Sequence, residues 1–507
     1  MIQKRLFTRN TLETVSYVVL LLAVTLWGVI LCAKQLTYGL EFDESYLLGV
    51  ASNLASGVGY VDDGVTFLST SEPFSPVIST GPAVLIPVSL TWWIFDGDLI
   101  PVRITMLIFF GILVYSIWRL FGKLGGRWAS LAAVGGLALV PTVAPDLQNT
   151  SLMPGRVVGE LPALALLLLA GLLLSKHQYF WSGLCLGLML LSKLTFGIPA
   201  VVLIAAFFVF EVLNRHIGPW RYLLRILCGV AVPLVTFELI KAVALGQSGY
   251  IRHVTAVREF LDGQDVPWSQ LYIFIDEHFE GTLQLLSLSL VTVVVIMIAL
   301  SWRRTRLSMG SSQNERDARD HATGWVIAAV SLGLAMMFLW WFFRSQQYSA
   351  RPALPTVLWL AIASCGVAFS IGTQDRSRSD RFSVALTFTL YAVLLVSIVG
   401  RTIQIGIDES GSRMLAEQRA AASWLQENRQ GVPTDGYWTN PELLILSGLP
   451  PDKAPLQDVA AYSAIRALNK KGVADAQVYN ELCLNMILIS ESVTLCKAFP
   501  SSGPIDE

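Results

Sequence analysis

The sequence predicts an all-α polytopic membrane protein of about eleven transmembrane helices, and three observations carry that prediction. Of its 507 residues, 54% are hydrophobic and only 14% charged, whereas soluble domains carry about a quarter charged residues. The mean hydropathy is +0.57. The apolar residues also fall into separate runs long enough to cross a bilayer, divided by charged or Gly- and Pro-containing connections.

A spanning helix needs about 20 mostly apolar residues. Spans are read at 15–33, 99–118, 128–144, 157–174, 180–192, 195–213, 226–245, 285–302, 325–343, 353–371 and 383–399. The fifth is short, and the break at Lys193, with Gly197 and Pro199 beyond it, also fits one long interrupted helix. The stretch 81–95 is apolar but carries Pro82 and Pro87 and, at about 15 residues, suits an interfacial or re-entrant helix better than a span. Leaving it out of the count gathers the basic connections on one side: Lys4, Arg5 and Arg9, then Arg119, Lys123 and Arg127, then Lys176, then Arg215, Arg221 and Arg225, then Arg303, Arg304 and Arg306, then Arg376, Arg378 and Arg381. Counting it would scatter them. Cytoplasmic loops are the Lys/Arg-rich ones, so the N-terminus is expected in the cytoplasm and the C-terminus outside it. The basic start and first apolar run lack a small-x-small cleavage site, which favours an uncleaved first helix.

Two domains are expected: a transmembrane domain over 1–400, whose first external loop is 34–98, and an extracytoplasmic soluble domain over 401–507. In that second region, 412–430 has helical periodicity with many charges, 431–451 is rich in Gly and Pro, and 486–490 reads as a short buried strand, which together suggest a small α/β domain. Cys483 and Cys496 lie there, in a compartment that permits a disulfide, but their spacing does not show that they meet. Cys32, Cys185, Cys228 and Cys365 lie in apolar spans, where a small hydrophobic role is the default. No CxxC or Cys/His cluster occurs, which argues against a structural zinc site. A net charge of −1 gives no basis for a nucleic-acid partner, and no GxGxxG or GxxxxGK[ST] motif indicates a nucleotide fold.

The first external loop is acidic, with Glu41, Asp43, Glu44, Asp62, Asp63 and Glu72 against one lysine over 34–80. After Asp43-Glu44, residues Tyr46, Leu47, Val50 and Leu54 recur at helical spacing and Gly57 offers a stop. This reads as an amphipathic helix on the outer membrane surface. Asp43 as N-cap and Glu44 as a first-turn acid account for the pair structurally. An ionised carboxylate at a helix start equally suits a general base.

Charges within apolar spans cost roughly 2.5–3.5 kcal/mol each on insertion scales, so they need partners or a function. Arg156 and Glu160 stand at i and i+4, on one face of a helix. Lys193, Arg103, Arg344 and Arg351 fall at the same outer level. Several cations converging there could bind a lipid phosphate; for any one of them, an ion pair or snorkelling is the commoner explanation. Glu238 and Lys241 read as a structural pair. The loop 247–281 is a plausible acceptor-binding segment or lid.

These residues resemble a known superfamily. Phe42-Asp43-Glu44 with Tyr46 just beyond, then Ser79-Thr80-Gly81-Pro82 opening a short apolar helix, then Arg103 heading the second span, resembles the polyprenol-phosphate-sugar glycosyltransferases of the GT-C fold. That superfamily includes protein O-mannosyltransferases and aminoarabinose transferases. Gly159-Glu160-Leu161-Pro162-Ala163 and the run from Gly183 to Thr195 are similar to patterns in bacterial members. The likeness covers about the first 215 residues and the later spans by topology. Two departures concern acceptor and sugar identity: Tyr46 replaces the His that mannosyltransferases carry, and Gly81-Pro82 replaces a Pro-Pro.

The resemblance implies a GT-C-like enzyme of the bacterial plasma membrane. Its donor would be a polyprenyl-phosphate-linked sugar, and its acceptor a hydroxyl of a protein, lipid or glycan. Asp43 or Glu44 would be the base and Arg103 the phosphate contact, with Arg156, Lys193 and Arg351 as further donor-phosphate ligands and Glu160 and Tyr46 in support. No cofactor is implied with certainty. Some relatives use a divalent metal at such carboxylates and others do not, so a metal at Asp43 and Glu44 stays open. Three rivals remain: a secondary transporter, disfavoured by the lack of an inverted repeat or matched broken helices; a polysaccharide polymerase or ligase with a lipid diphosphate donor; and a noncatalytic assembly protein that has kept the fold.

Overall fold

The computed structural model describes residues 2–62, 72–75, 79–140, 153–213, 219–262, 315–344, 354–374, 381–428, 434–435, 445–446, 465–469, 483–489 and 493–498. The expected eighth span lies outside them, as do Arg351 and most of the loop 247–281. The described helices are α1 (Ile2–Leu36), α2 (Phe42–Ala55), α3 (Pro82–Ile94), α4 (Leu99–Gly135), α5 (Glu160–Leu174), α6 (Tyr179–Leu190), α7 (Gly197–Leu213), α8 (Pro219–Asp262), α9 (Glu315–Arg344), α10 (Leu354–Gln374), α11 (Arg381–Ile407) and α12 (Ser410–Asn428). Six of the described helical stretches are long and apolar enough to cross a bilayer. The protein is an integral membrane protein built almost wholly of helices.

Lipid is the natural solvent for the outside of this bundle. Leu22, Leu26 and Val29 on α1, and Leu239 and Val243 on α8, are exposed, and outward apolar side chains along helices of this length suit contact with lipid tails. The interior is a continuous apolar core in which Leu120, Phe121, Leu164, Leu168, Trp359 and Ile362 are fully or almost fully buried. Several of its polar groups are bonded: Trp359 Nε1 donates to Ser331 Oγ at 2.9 Å, and Thr356 Oγ1 donates to the Leu334 carbonyl at 2.9 Å, while Trp27 Nε1 and Ser116 Oγ have no partner among the described residues. Low-dielectric burial favours such bonding.

The second and third expected spans appear as the two arms of α4. They turn at Gly125-Gly126, where Gly126 adopts φ 73°, ψ −165°, a backbone region essentially confined to glycine. Around this turn, Lys123 Nζ donates to Ser175 Oγ at 3.1 Å, and Arg127 lies 3.8 Å from Glu13. The basic connections near 119–127 and at 176 therefore share one end of the bundle, remote from the acidic loop. α3 begins with Pro82 at its first position and has 13 residues, so it rises about 20 Å and falls short of an apolar core about 30 Å thick. It buries Val84, Leu85 and Val88 on one side and leaves Ile86, Leu90 and Trp93 exposed on the other, a short apolar helix rather than a span.

Two sequence expectations are corrected here. The N-cap of α2 is Glu41, with φ −112° and ψ 163°, so Asp43 and Glu44 both lie inside the first turn. Nor does α2 lie on a surface with one face in water: residues 44–51 are all buried, enclosed by Phe74, Val84, Leu85, Val157 and Leu415. Elements distant in sequence cover what local periodicity assigned to solvent.

α11 runs on to Ile407, through the expected domain boundary at 400, and α12 covers the charged periodic segment. Beyond it, β1 (Thr434–Asp435), β2 (Ile465–Asn469), β3 (Cys483–Ile489) and β4 (Val493–Ala498) form a mixed sheet in the order β1-β2-β4-β3. The backbone register sets Cys496 opposite Met486 and Cys483 opposite Ala498, so the two cysteines are not directly facing partners.

Candidate active site

The chain linking α1 to α2 forms the centre of the site, and a buried ion network fixes it. Arg103, from the first turns of α4, is 1% exposed in its side chain. Its Nη1 donates to the carbonyls of Gln35 at 3.0 Å, Leu36 at 3.3 Å and Tyr38. Its Nη2 donates to the Gly39 carbonyl at 3.5 Å and to Glu44 Oε2 at 3.4 Å. The last carbonyls of a helix have no intrahelical donor and carry its negative dipole end. A guanidinium with several donors in one plane satisfies them together. Arg103 thus caps α1 and ties that cap to the first turn of α2.

Arg156 meets the same carboxylate from the other side. Its Nη1 donates to Glu44 Oε2 at 3.0 Å and its Nη2 to Glu41 Oε1 at 3.3 Å, while the guanidinium lies 4.7 Å over the Tyr38 ring. Two buried guanidiniums and two carboxylates make a network balanced in charge, as burial of ions requires. The expected Arg156–Glu160 pair on one helix does not form. α5 starts only at Glu160, with Gly159 as N-cap, so Arg156 precedes the helix and its guanidinium reaches the α2 acids instead.

Glu160 pairs with Lys193, whose Nζ is 3.1 Å from Glu160 Oε1, and Lys193 keeps 21% of its side chain exposed. The segment carrying Lys193 threads between the starts of α3 and α5: the Gly81 N–H donates to the Ser192 carbonyl at 3.0 Å, and the Ala83 N–H to the Leu191 carbonyl at 3.3 Å. Gly159 permits that approach, since a Cβ there would lie 2.4 Å from the Ser192 carbonyl oxygen. The four sequence segments singled out around Asp43-Glu44, Thr80-Pro82, Glu160 and Lys193 therefore gather at one end of the bundle.

The two adjacent carboxylates have different surroundings. Glu44 is 1% exposed and held by both arginines, whereas Asp43 is only half-buried. Tyr46 is buried, its ring edge-on to Phe74 at 5.8 Å, so it packs within α2's cover. Arg103 and Arg156 have their terminal nitrogens on protein oxygens, which differs from the expected array of unpaired phosphate-binding cations. Lys241 Nζ bonds Glu238 Oε1 at 2.8 Å, and Tyr250 Oη bonds Glu238 Oε2 at 2.7 Å, so that pair is present as expected.

One residue had no signal in the sequence. Gln418, on α12, accepts from the Leu40 N–H at 2.9 Å and donates to the Leu40 carbonyl at 2.8 Å, both bonds buried. Its side-chain amide completes both backbone groups of a residue just ahead of the acids, as a neighbouring strand would. Met414, one turn earlier, packs against Gly39 so closely that a Cβ there would overlap it.

No known family profile matches the sequence, and no curated protein sequence matches it. Solved structures do match. The crystal structure of ArnT from Cupriavidus metallidurans bound to undecaprenyl phosphate aligns with a TM-score of 0.56, covering 97% of this chain and 99% of that chain at 12% identity. This chain has the GT-C fold. The apo state of the same ArnT aligns at a TM-score of 0.55, covering 96% and 98% of the two chains at 11% identity. The Archaeoglobus fulgidus oligosaccharyltransferase tethered to an acceptor peptide gives 0.44, with 96% and 74% covered at 11% identity.

Within this GT-C chain the donor set at the acids does not suit a divalent metal. Both guanidiniums share Glu44 Oε2 and Arg156 also holds Glu41. Among the described residues no three His, Cys, Asp or Glu side chains gather. A divalent ion placed there would face two buried positive charges at close range.

Proposed function

We propose that the protein is a membrane glycosyltransferase that moves a hexosyl or pentosyl group from a polyprenyl-phosphate donor to an acceptor hydroxyl on the extracytoplasmic face, with Asp43 as general base. The observation that carries this is the division of labour between neighbouring acids on a GT-C scaffold: Glu44 is buried under two arginines while Asp43 stays accessible to a substrate. The fold likeness to ArnT bound to undecaprenyl phosphate supports the donor class. The separation of the basic turns from the acidic loop along the bundle supports a cytoplasmic N-terminus. It equally supports an extracytoplasmic site, in a bacterial plasma membrane, with the region after α11 as a soluble extracytoplasmic domain.

In this reaction the acceptor oxygen attacks the anomeric carbon in line and its proton passes to the Asp43 carboxylate. The bond from that carbon to the phosphate oxygen breaks, its electron pair leaving with the lipid phosphate. A single displacement inverts the anomeric centre. Glu44, Arg103, Arg156 and Gln418 hold the 35–44 segment so that Asp43 is presented in one geometry, which is how positioning lowers a barrier. Lys193, 21% exposed in its side chain at the same end, is the cation best able to meet the departing phosphate. Arg351 lies outside the described residues.

Membranes containing the full chain, incubated with polyprenyl phosphate radiolabelled in its sugar, test this. Transfer to acceptor should be slowed by Asp43→Asn by about 10²–10⁴-fold, the usual contribution of a general base, without loss of folded protein. Full activity in Asp43→Asn overturns the assignment. Transfer only from a lipid diphosphate overturns the donor class in favour of a polymerase or ligase.

A further inference from the structure

The turn from α3 into α4 and the facing side of α12 enclose a cleft of about 310 Å³ that the buried ion network does not use. Ligand pockets run from about 300 to 1,000 Å³, so this one is of ligand size. Trp92 near the end of α3, Gly97 and Asp98 in the turn, and Arg419 and Ser423 on α12 line it together with Leu446. Trp92 and Leu446 also pack on the apolar cluster that encloses α2, and Arg419 directly follows Gln418, which completes Leu40. The cleft therefore adjoins the wall of the site that carries the acids. We infer that it binds a saccharide, with an apolar ring face on Trp92 and the ring hydroxyls between Asp98 and Arg419. The inference rests on the transfer reaction proposed above and names its acceptor class: the hydroxyl that receives the sugar belongs to a glycan.

A pyranose has C–H groups on its ring faces and hydroxyls around its edge, so it suits an aromatic face flanked by planar donors and acceptors. Trp92 supplies the face, whose π cloud is negative and attracts the C–H groups. Gly97, at φ 79°, lies against the indole, and a Cβ there would stand 3.3–3.5 Å from Cζ2, Cε2 and Nε1, so glycine leaves open the space beside the ring that another side chain would fill. The turn is held in that place: the Gly97 N–H donates to the Trp92 carbonyl at 2.9 Å and the Asp98 N–H to the Phe95 carbonyl at 3.1 Å. Asp96, just before them, has φ 51°, uncommon for a residue with a side chain and a kind of strain that gathers where ligands are clamped. Asp98 Oδ1 accepts from the Ile100 N–H at 3.0 Å, which fixes the carboxylate and turns its remaining acceptor capacity to the cleft. A carboxylate accepts from two neighbouring hydroxyls and a guanidinium donates to two. One of each leaves the lining without net charge, which favours a neutral polyol over a phosphate.

Saturation-transfer NMR on the full chain in lipid nanodiscs, prepared free of sugar-based detergent, tests this. The probes are mannotriose, maltotriose and chitotriose, with glycerol and inorganic phosphate as controls. At least one trisaccharide should give a saturable signal in the millimolar range, as a small contact area allows. Trp92→Ala, which removes the platform, and Ser423→Trp, which fills the cleft, should weaken it about tenfold or more. Trp92→Phe keeps an aromatic face and should stay within about threefold of the wild type. Thermal unfolding of each variant separates lost binding from lost fold, and Ser423→Phe serves as a second filling variant if Ser423→Trp does not fold. No saturable signal from any of the three trisaccharides overturns the assignment. So does a signal unchanged in folded Trp92→Ala and Ser423→Trp, which puts the sugar elsewhere. Equal competition by glycerol or phosphate overturns it too, as it marks a site for hydroxyls or anions with no use for the ring. Sugar transfer measured alongside distinguishes the two proposals. Transfer with no dependence on Trp92 sinks the cleft alone, and Trp92-dependent saccharide binding without transfer sinks the glycosyltransferase alone.

Discussion

Replacing Glu44 by Gln keeps the side chain's shape and removes its charge, leaving two guanidiniums buried at 1% exposure with only Glu41 as a charged partner. Removing one member of a buried ion network costs roughly 3–5 kcal/mol, because the remaining charge stays desolvated. That is a large part of the 5–15 kcal/mol typical of whole-domain stability. The midpoint of thermal unfolding should therefore fall by several degrees in detergent, followed by intrinsic fluorescence on the full chain. A double-mutant cycle with Arg156→Gln should return a coupling of about 0.5–3 kcal/mol. Asp43→Asn, at a half-buried first-turn position, leaves the two buried guanidiniums with Glu44 and should lower the unfolding midpoint less than Glu44→Gln does. The two neighbouring carboxylates would then be separated by assay: one lowers stability, the other turnover. A Glu44→Gln protein that unfolds at the wild-type temperature, with no coupling to Arg156, would refute the assignment of Glu44 as the buried anchor.

Further outcomes follow from other contacts. Gln418→Ala removes both bonds to Leu40 and leaves two buried backbone groups unsatisfied, at about 1–3 kcal/mol each; limited proteolysis should show faster cleavage near Leu40, and sugar transfer should slow although Gln418 touches no reacting atom. Lys193→Met strands the buried Glu160 and should destabilise the fold, whereas Lys193→Met with Glu160→Gln should recover stability but not transfer, as thermal unfolding and activity together would show. Gly126→Ala forces a Cβ into a backbone conformation at φ 73° and should cost about 1–3 kcal/mol, read as a lower unfolding temperature with unchanged Asp43 chemistry.

What could be read in the sequence was whatever local physics determines. Six long apolar stretches followed from run length, the shortness of α3 from its prolines and 13 residues, and the convergence of Asp43, Glu44, Arg103, Arg156, Glu160 and Lys193 on one end from charge bias in the loops. Their pairing was not legible. Arg156 and Glu160 have ideal helical spacing, but the helix begins too late to use it, and the ion partners are chosen by how α2 and α5 approach. The amphipathic reading of α2 failed for the same reason, since distant elements bury its second face. Gln418 carried no local pattern at all: its significance exists only once the two ends of the chain meet.

Gln418 also changes what can be exchanged in this protein. A soluble C-terminal region that merely recruited acceptors could be deleted or replaced while the membrane bundle kept working. Here α12 supplies the hydrogen bonds that complete Leu40, so the bundle alone lacks one wall of its own site. A chimera grafting a foreign C-terminal region after α11 should work only if it brings an amide to that position, together with a side chain that can stand where Met414 packs against Gly39. At this contact the membrane bundle and the C-terminal region therefore behave as one folding unit.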